Sequence, residues 1–384
     1  MPDVVVIGGG ITGVAAADAL AREGHAVALL EARRIAAMAS GWTLGGVRQS
    51  GRDPAELPLA RAAVALWAEL GDTLGVDVEY RRNGNLRLAR TPAEVDAIRA
   101  LVASQRELGL DIDFLPNGGA VRTIAPALSP DILAASFCPS DGHANPIKTT
   151  HAFADSARRH GATIFEGVPA RAIRISQNRV AGVETDGAFM PADRVIVAAG
   201  VNTAELLRPL GLDFPLSIEI VTVVQSEPLA PCLDPVFGVA NADCAGRQEA
   251  DGRLRFTGGL GPWGLDVARW TADTLAPSAN DVRDVVAVVA HVLPVAGHAA
   301  IARTWRGLID LTPDALPVID APESVAGLVV AAGFSGHGFC LGPISGSLCA
   351  DLALARRPRL DLSAFRLGRF TERSIAAAEL TLHG

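Results

Sequence analysis

The chain has 384 residues, 49% of them hydrophobic and 20% charged, with 39 Gly and 24 Pro, a balance that excludes a disordered polypeptide and a length that suits two domains. A formal net charge of −8 argues against nucleic acid as a partner, and no uninterrupted apolar stretch is long enough to make a transmembrane segment. The five cysteines (Cys138, Cys232, Cys244, Cys340, Cys349) form no C-x-x-C pair, no metal-ligand cluster stands out, and the first apolar run begins almost at Met1 without a basic leader, so a reduced, cytoplasmic setting without a metal is expected.

Val4 to Ile7 is a short β-branched run suited to a strand buried on both faces. Gly8, Gly10 and Gly13 follow in G-x-G-x-x-G spacing at the turn into an Ala- and Leu-rich helix that begins with Ile11 and Thr12. The three glycines serve different ends, namely a tight turn, close backbone approach to a pyrophosphate, and close helix–strand contact. The helix N-terminus offers free N–H groups and a positive dipole end to that pyrophosphate. His25 to Leu30 reads as the next parallel strand, and Glu31 stands where a carboxylate takes a ribose hydroxyl pair, ahead of Ala32 and Arg33. An acid there favours an unphosphorylated adenosine ribose, hence FAD or NAD over NADP.

From Arg33 the chain is polar and glycine-rich; Ser40, Gly41, Gly45 and Gly46 let the backbone lie close to a flat ligand, with Val47 and Arg48 just beyond. Asp53 and Pro54 predict the cap and first position of a helix that stops near Gly71 or Gly75. Alternation broken by Asn83-Gly84 predicts a hairpin. Thr91, Pro92 and Glu94 form a capping box for a helix ending at Gly109. Asn145 and Pro146 read as N-cap and N1 of a helix stopping at Gly161, followed by a parallel strand from Ala162 to Glu166. Two alternating segments, ARAIRISQ and RVAGVETD, precede the buried strand RVIVAAG, after which Asn202 is expected to cap a short helix. A second meander (SIEIVTVVQSE, PVFGVANA, DGRLRFTGG) and a helix from Asn280 to Leu293 follow. The last quarter holds the strand TWRGLIDL, the strand GLVVAAG, and FSGHGF opening a long helix whose N–H groups can face developing negative charge.

GGGITG, LLEAR, ASGWTLGGVR, EYRRNGNLRLA, DGHANPIKTT, RVIVAAGVNTAELL, W-R-G…TPD-x-x-P-V-I-D and AAGFSGHGF occur in this order. As a set they resemble the D-amino-acid oxidase superfamily, and within it the branch of the sarcosine oxidase β subunit, opine oxidase subunits, and the proline and D-hydroxyproline dehydrogenases. The resemblance implies a fold of α/β plus α+β class: a Rossmann-type FAD-binding domain from segments 1–77, 142–214 and 298–384, interleaved with a mixed β-sheet substrate-binding domain from 78–141 and 215–297. It implies oxidation of a C–N bond in a small amine or amino-acid-like substrate, with electrons passed to O2 or a redox partner, by one chain or within a hetero-oligomer. A protein that only binds a dinucleotide is the rival reading.

Carried over by position, the resemblance places Gly8, Gly10, Ile11, Thr12, Gly13, Ser40 and Gly41 at the FAD phosphates and Glu31, Ala32 and Arg33 at the adenosine ribose. Gly45, Gly46, Val47 and Arg48 run under the flavin, Val168 lies against adenine, and Ala199 and Gly200 pass behind the cofactor. Gly333, Phe334, Gly336, His337, Gly338 and Phe339 surround the pyrimidine end of the ring. Gly307 lies near where monomeric sarcosine oxidases carry a flavin-linking cysteine, so FAD is expected to be non-covalent. A histidine that tethers FMN in heterotetrameric sarcosine oxidase is replaced by Pro146. Cys340 replaces a substrate-carboxylate lysine and Ile309 a carboxylate-binding arginine. Trp42, Trp263, Arg48 and Cys340 are the substrate-contact candidates, and Arg48 and His337 the catalytic ones. Position alone leaves Arg48 either beside the ring or facing ribityl or solvent, and His337 either at the flavin or a structural loop residue.

Overall fold

A computed structural model describes residues 1–265, 267 and 274–372; parts of two expected domain segments, 266 and 268–273 within 215–297 and 373–384 at the end of 298–384, lie outside the described residues. A six-stranded sheet has the order Val318–Asp320, Leu328–Ala332, Val195–Val197, Val4–Ile7, Val27–Glu31, Thr163–Glu166. All neighbours are parallel except the first pair. Val4, Val5 and Val6 are wholly inaccessible, as expected for β-branched residues covered on both faces. Helix Ile11–Arg22 leaves the central strand through the glycine turn and crosses helix Gly338–Ala353 closely. Only glycine fits that crossing: a Cβ on Gly346 would lie 2.6 Å from the Ala15 Cβ, and one on Gly342 2.4 Å from the Ile11 Cγ2.

The second, mixed sheet has eight strands, in the order Ile301–Leu311, Ser217–Pro228, Arg253–Pro262, Cys244–Gln248, Val236–Val239, Asn85–Ala89, Ala134–Cys138, Asp113–Leu115. Its single parallel pairing joins Val236–Val239 to Asn85–Ala89. Helix Ala279–Val292 covers one face through Val285, Val289 and Val292, and starts in a Ser278–Asp281 capping box. Strand Cys244–Gln248 carries no alternation of apolar and polar residues and was not legible in the sequence. A three-stranded sheet (Ala170–Ser176, Arg179–Thr185, Phe189–Pro191) stands apart, and Gly46–Val47 pairs with Gly142–His143.

Three local expectations are corrected. Gly84 does turn the chain (φ +89°), but no hairpin forms there. Arg81 instead exchanges backbone bonds with His143, while Asn85–Ala89 takes partners on both edges, Ala134–Cys138 and Val236–Val239. A fully buried strand needs both edges paired, which a local hairpin cannot supply. Asp53 heads a turn, its Oδ1 accepting from the Ala55 N–H, and the helix begins at Leu57 with Glu56 as N-cap and ends at Gly75 (φ +74°). Asn202 closes a 3₁₀ turn and makes no side-chain cap. Elsewhere Asn145 caps its helix as expected, accepting from the Lys148 N–H, and Thr91 makes its half of the expected capping box by accepting from the Glu94 N–H, while the Glu94 carboxylate takes the Arg90 N–H and not that of Thr91.

Candidate active site

The three glycines of the turn differ in what surrounds them. Gly8 has φ +114° and its added Cβ would lie 2.2 Å from the Ala198 carbonyl oxygen; a Cβ on Gly13 would lie 2.0 Å from that of Gly8. Gly10 is extended, and its Cβ would meet only Ser40, Oγ at 3.1 Å, so the space over it is open. Ser40 Oγ accepts the Ile11 N–H at 2.9 Å, and Gly41 is required where a Cβ would lie 2.1 Å from the Ala36 oxygen. Glu31 ends its strand with Oε2 accepting from Gly9 N–H and Oε1 from Arg33 N–H, both at 2.7 Å. Burial raises its pKa against the opposing pull of those two N–H groups. Val168 donates its N–H to the Glu31 carbonyl at 2.9 Å, which pins the following loop beside the acid.

From this turn a continuous cavity of about 530 Å³ runs between the two large sheets. Among the residues singled out from sequence, it is lined by Gly8, Gly10, Ile11, Thr12, Glu31, Ala32, Arg33, Ser40, Trp42, Gly46, Arg48, Ala199, Gly200, Gly307, Phe334, Gly336, His337, Gly338 and Phe339. Gly13, Gly41, Gly45, Val47, Val168, Gly333, Trp263 and Cys340 stand behind that lining. Gly45 (φ +76°) packs on the Ala144 carbonyl, and Trp263 packs with Val201, Leu275, Leu308 and Trp42. Cys340 is buried with its Sγ donating to the Arg48 carbonyl at 3.4 Å, and burial pushes its thiol up to about 11, which makes it inert packing.

Charge collects at one part of the cavity. Asp141, from the D-G-H-A-N-P segment, accepts from the N–H groups of Gln49 (2.8 Å) and Ser50 (3.2 Å) and from the Ser50 hydroxyl (2.5 Å), and so holds the loop that carries Arg48. The Arg48 Nη1 donates to the Ser50 carbonyl at 2.5 Å, while its buried Nη2 has no hydrogen-bond partner. Burial, then the Arg52 and Arg87 guanidiniums, lowers the Arg48 pKa well below its usual value. Arg52 Nη1 lies 3.3 Å from Glu56 Oε2, and His337 Nδ1 lies 3.1 Å from the same oxygen. Burial opposes the Glu56 charge, but His337, Arg52 and Arg48 outweigh it and hold its pKa at about 2. Burial and Arg52 push His337 down to about 4, so the ring is neutral at neutral pH.

Sequence reasoning passed over several lining residues: Arg52, Asn85, Asp310, and the sheet wall Val221, Val223, Val236, Phe237, Ala245 and Thr257. Alternation in SIEIVTVVQSE already placed Val221 and Val223 on one face; what they face was not readable. Asp310 accepts the Gly333 N–H at 2.7 Å and, from its carbonyl, the Ser335 N–H at 3.0 Å, so it braces the loop that presents His337.

The profile described as "FAD dependent oxidoreductase" (DAO) matches residues 3–352. The chain belongs to the DAO family of FAD-dependent oxidoreductases. This DAO-family chain is 29% identical over 378 residues to a glycine oxidase of Geobacillus kaustophilus, covering 96% of the chain and 97% of the relative. It is 27% identical over 375 residues to the sarcosine oxidase subunit beta of Rhizobium meliloti, covering 96% and 88%. Among solved structures, the L-proline dehydrogenase from P. horikoshii superposes with a TM-score of 0.88 at 27% identity, over 97% of this chain and 98% of that one. The protein is thus an FAD-dependent enzyme with the mixed α/β fold of those oxidases and dehydrogenases. Among its described residues no helix is long and apolar enough to cross a membrane.

Proposed function

We propose that the cavity holds FAD non-covalently along its length, with an amino-acid-like amine beside Arg48, and that the protein oxidises a C–N bond of that amine. The observation that carries the substrate reading is the buried, unpartnered Arg48 Nη2 in a cavity whose other wall is apolar. A desolvated guanidinium N–H with no acceptor costs free energy until an anion arrives, and a carboxylate is the natural one. Ile309 and Cys340 stand where relatives would place a carboxylate-binding arginine or lysine. Arg48, whose carbonyl takes the Cys340 thiol and the Arg52 guanidinium, supplies that charge instead, and Val221, Val223, Val236 and Phe237 favour an apolar substituent on carbon or nitrogen.

The opening over Gly10 fits a pyrophosphate: it is a cradle that a Cβ would fill, at a helix N-terminus whose N-cap is a glycine and whose first turn has no acid, with Ser40 Oγ on the Ile11 N–H alone. Gly8 and Gly13 shape that turn, Ile11, Thr12 and Ser40 face the phosphates, and Glu31 keeps acceptor capacity for the ribose hydroxyls beside Ala32 and Arg33. Val168 backs the adenine and Gly41 the Ser40 loop. Gly45, Gly46 and Val47 run beneath the ring, Ala199, Gly200 and Gly307 behind it. Gly333, Phe334, Gly336, Gly338 and Phe339 close on its pyrimidine end. When bound, FAD supplies a hydride acceptor for the carbon next to the amine, and water then hydrolyses the imine product. The chain orients the amine, excludes water, and offers the N–H groups at the start of helix Gly338–Ala353 to negative charge developing at the ring edge. In this reading segments 1–77, 142–214 and 298–384 serve the cofactor and 78–141 and 215–297 the substrate. Cysteines free of disulfides favour a reducing, cytoplasmic setting.

Anaerobic bleaching of the flavin by a panel of N-alkyl amino acids, prolines and opines tests this; bleaching by none would overturn it. Oxygen uptake against dye reduction then separates an oxidase from a dehydrogenase with a redox partner. Similarity to a sarcosine oxidase subunit beta favours a second reading, a flavin subunit of a hetero-oligomer, tested by activity of the isolated chain against that of the chain purified with its partners.

A further inference from the structure

Glu56 and His337 come from chain segments 281 residues apart and meet at the cavity wall. Each is the N-cap of a long helix, Leu57–Leu74 and Gly338–Ala353, and neither side chain caps its own helix. They face each other instead: His337 Nδ1 lies 3.2 Å from Glu56 Oε1 and 3.1 Å from Oε2, and Arg52 Nη1 approaches Oε2 at 3.3 Å. Glu56 is 1% exposed and His337 7%. The Arg52 and Arg48 guanidiniums and the imidazole of His337 surround one carboxylate, which favours its ionised form. An ionised carboxylate only accepts hydrogen bonds, and a neutral imidazole carries one N–H, so that proton belongs on Nδ1. The other ring nitrogen, Nε2, is buried without a partner, and His337 lines the cavity.

We propose that Glu56 is a positioning residue: it holds His337 as the Nδ1–H tautomer, so that a bare Nε2 in the cavity wall is left to accept an N–H lying next to a carbonyl or carboxylate oxygen. The oxygen half of that pattern matches the buried, unpartnered Nη2 of Arg48, a residue of the same cavity wall. Two sources carry this chemistry: the pyrimidine edge of the flavin, where an N–H is flanked by carbonyls, and the amine of an amino acid beside its carboxylate. Either role rests on the cofactor and substrate reading above, whereas the tautomer does not.

The test is ¹⁵N NMR of histidine-labelled protein, with the His337 signals assigned by their loss in His337→Asn. In the apoprotein the expected pattern is a protonated Nδ1 and an unprotonated Nε2; an Nε2–H tautomer would overturn the proposal whatever the substrate. On adding FAD, movement of the Nε2 signal identifies the ring edge as donor. Movement only on adding sarcosine to the dithionite-reduced holoenzyme, where no turnover occurs, identifies the amine. Movement in neither arm overturns the acceptor role. Glu56→Gln, whose amide both donates and accepts, is expected to mix the tautomers and to slow flavin reduction by the best amine of the panel about 10- to 150-fold, the equivalent of one charge-assisted hydrogen bond. A Glu56→Gln protein with one tautomer and parental reduction rate would refute it. If no amine reduces the flavin, the proposed function fails while the tautomer result stands by itself.

Discussion

Gly10→Ala and Gly13→Ala should separate cofactor binding from folding within one turn. Gly10 has φ −75° and ψ 170°, a conformation open to every residue, and the added methyl would meet only Ser40 Oγ at 3.1 Å. Gly→Ala at a compatible site stabilises by about 0.4–1 kcal/mol through the unfolded chain, and the tight Ser40 contact offsets part of that, so apoprotein stability should stay within about 1 kcal/mol. At Gly13 the methyl would lie 2.0 Å from the Gly8 carbonyl oxygen, so backbone must move. Overpacking of that kind costs about 1–3 kcal/mol. Binding should follow the reverse order of selectivity. The Gly10 methyl occupies the approach to the helix N-terminus, and losing one charge-assisted phosphate contact there, worth about 1.5–3 kcal/mol, weakens FAD binding roughly 10- to 150-fold. Urea unfolding of the apoproteins followed by circular dichroism, and FAD titration followed by flavin fluorescence, give both quantities. Gly10→Ala that binds FAD like the parent, or that loses as much apoprotein stability as Gly13→Ala, would refute the division of roles within the turn.

Other expectations concern charge and packing. Burial, opposed by the N–H groups of Gly333 and Phe334, raises Asp310 from 3.8 to about 6. Its neutral form is the one the fold favours, so the stability it contributes is complete below pH 3.8 and is lost as pH rises through about 6. Asp310→Asn should therefore gain on the parent by up to about 3 kcal/mol between about pH 4 and 7 in urea unfolding; parallel pH curves would contradict this. Arg48→Met should raise the KM for a carboxylate-bearing amine about 10- to 150-fold, the value of one charge-assisted hydrogen bond, and leave that of an amine without a carboxylate nearly unchanged. Equal losses on both substrates would place Arg48 away from the carboxylate. Gly346→Ala should lower the midpoint of urea unfolding by an amount equivalent to about 1–3 kcal/mol, because its methyl would lie 2.6 Å from the Ala15 Cβ and the Ala16 nitrogen. An unchanged midpoint would show that the two helices can separate at no cost.

Local chemistry carried far in this chain. The strand, the glycine spacing, the helix start and Glu31 fall within one contiguous βαβ unit, so their pattern is readable in the sequence, although Ser40 and Ala198 complete the turn. The same holds for the caps at Thr91 and Asn145, where a side-chain oxygen meets an N–H three residues on. The helix start expected at Asp53 failed for a tertiary reason: the following Glu56 is drawn to Arg52 and His337, and the helix starts there. The Asn83-Gly84 hairpin failed similarly, because Asn85–Ala89 is an interior strand with two distant partners.

The charged part of the cavity was the least legible. Arg48 and His337 stand out in the sequence as catalytic candidates with their surroundings left open, Arg52, Glu56 and Asp141 do not stand out, and nothing in the sequence around Glu56 announces a histidine 281 positions away. Sequence alone pointed to a dinucleotide site near Met1, since the expected grip is built from one contiguous βαβ unit. Tertiary structure decided which residues of the cavity wall keep a buried hydrogen-bonding atom without a partner. Desolvation and partner count are properties of the assembled environment, set by segments that become neighbours only when both sheets have formed.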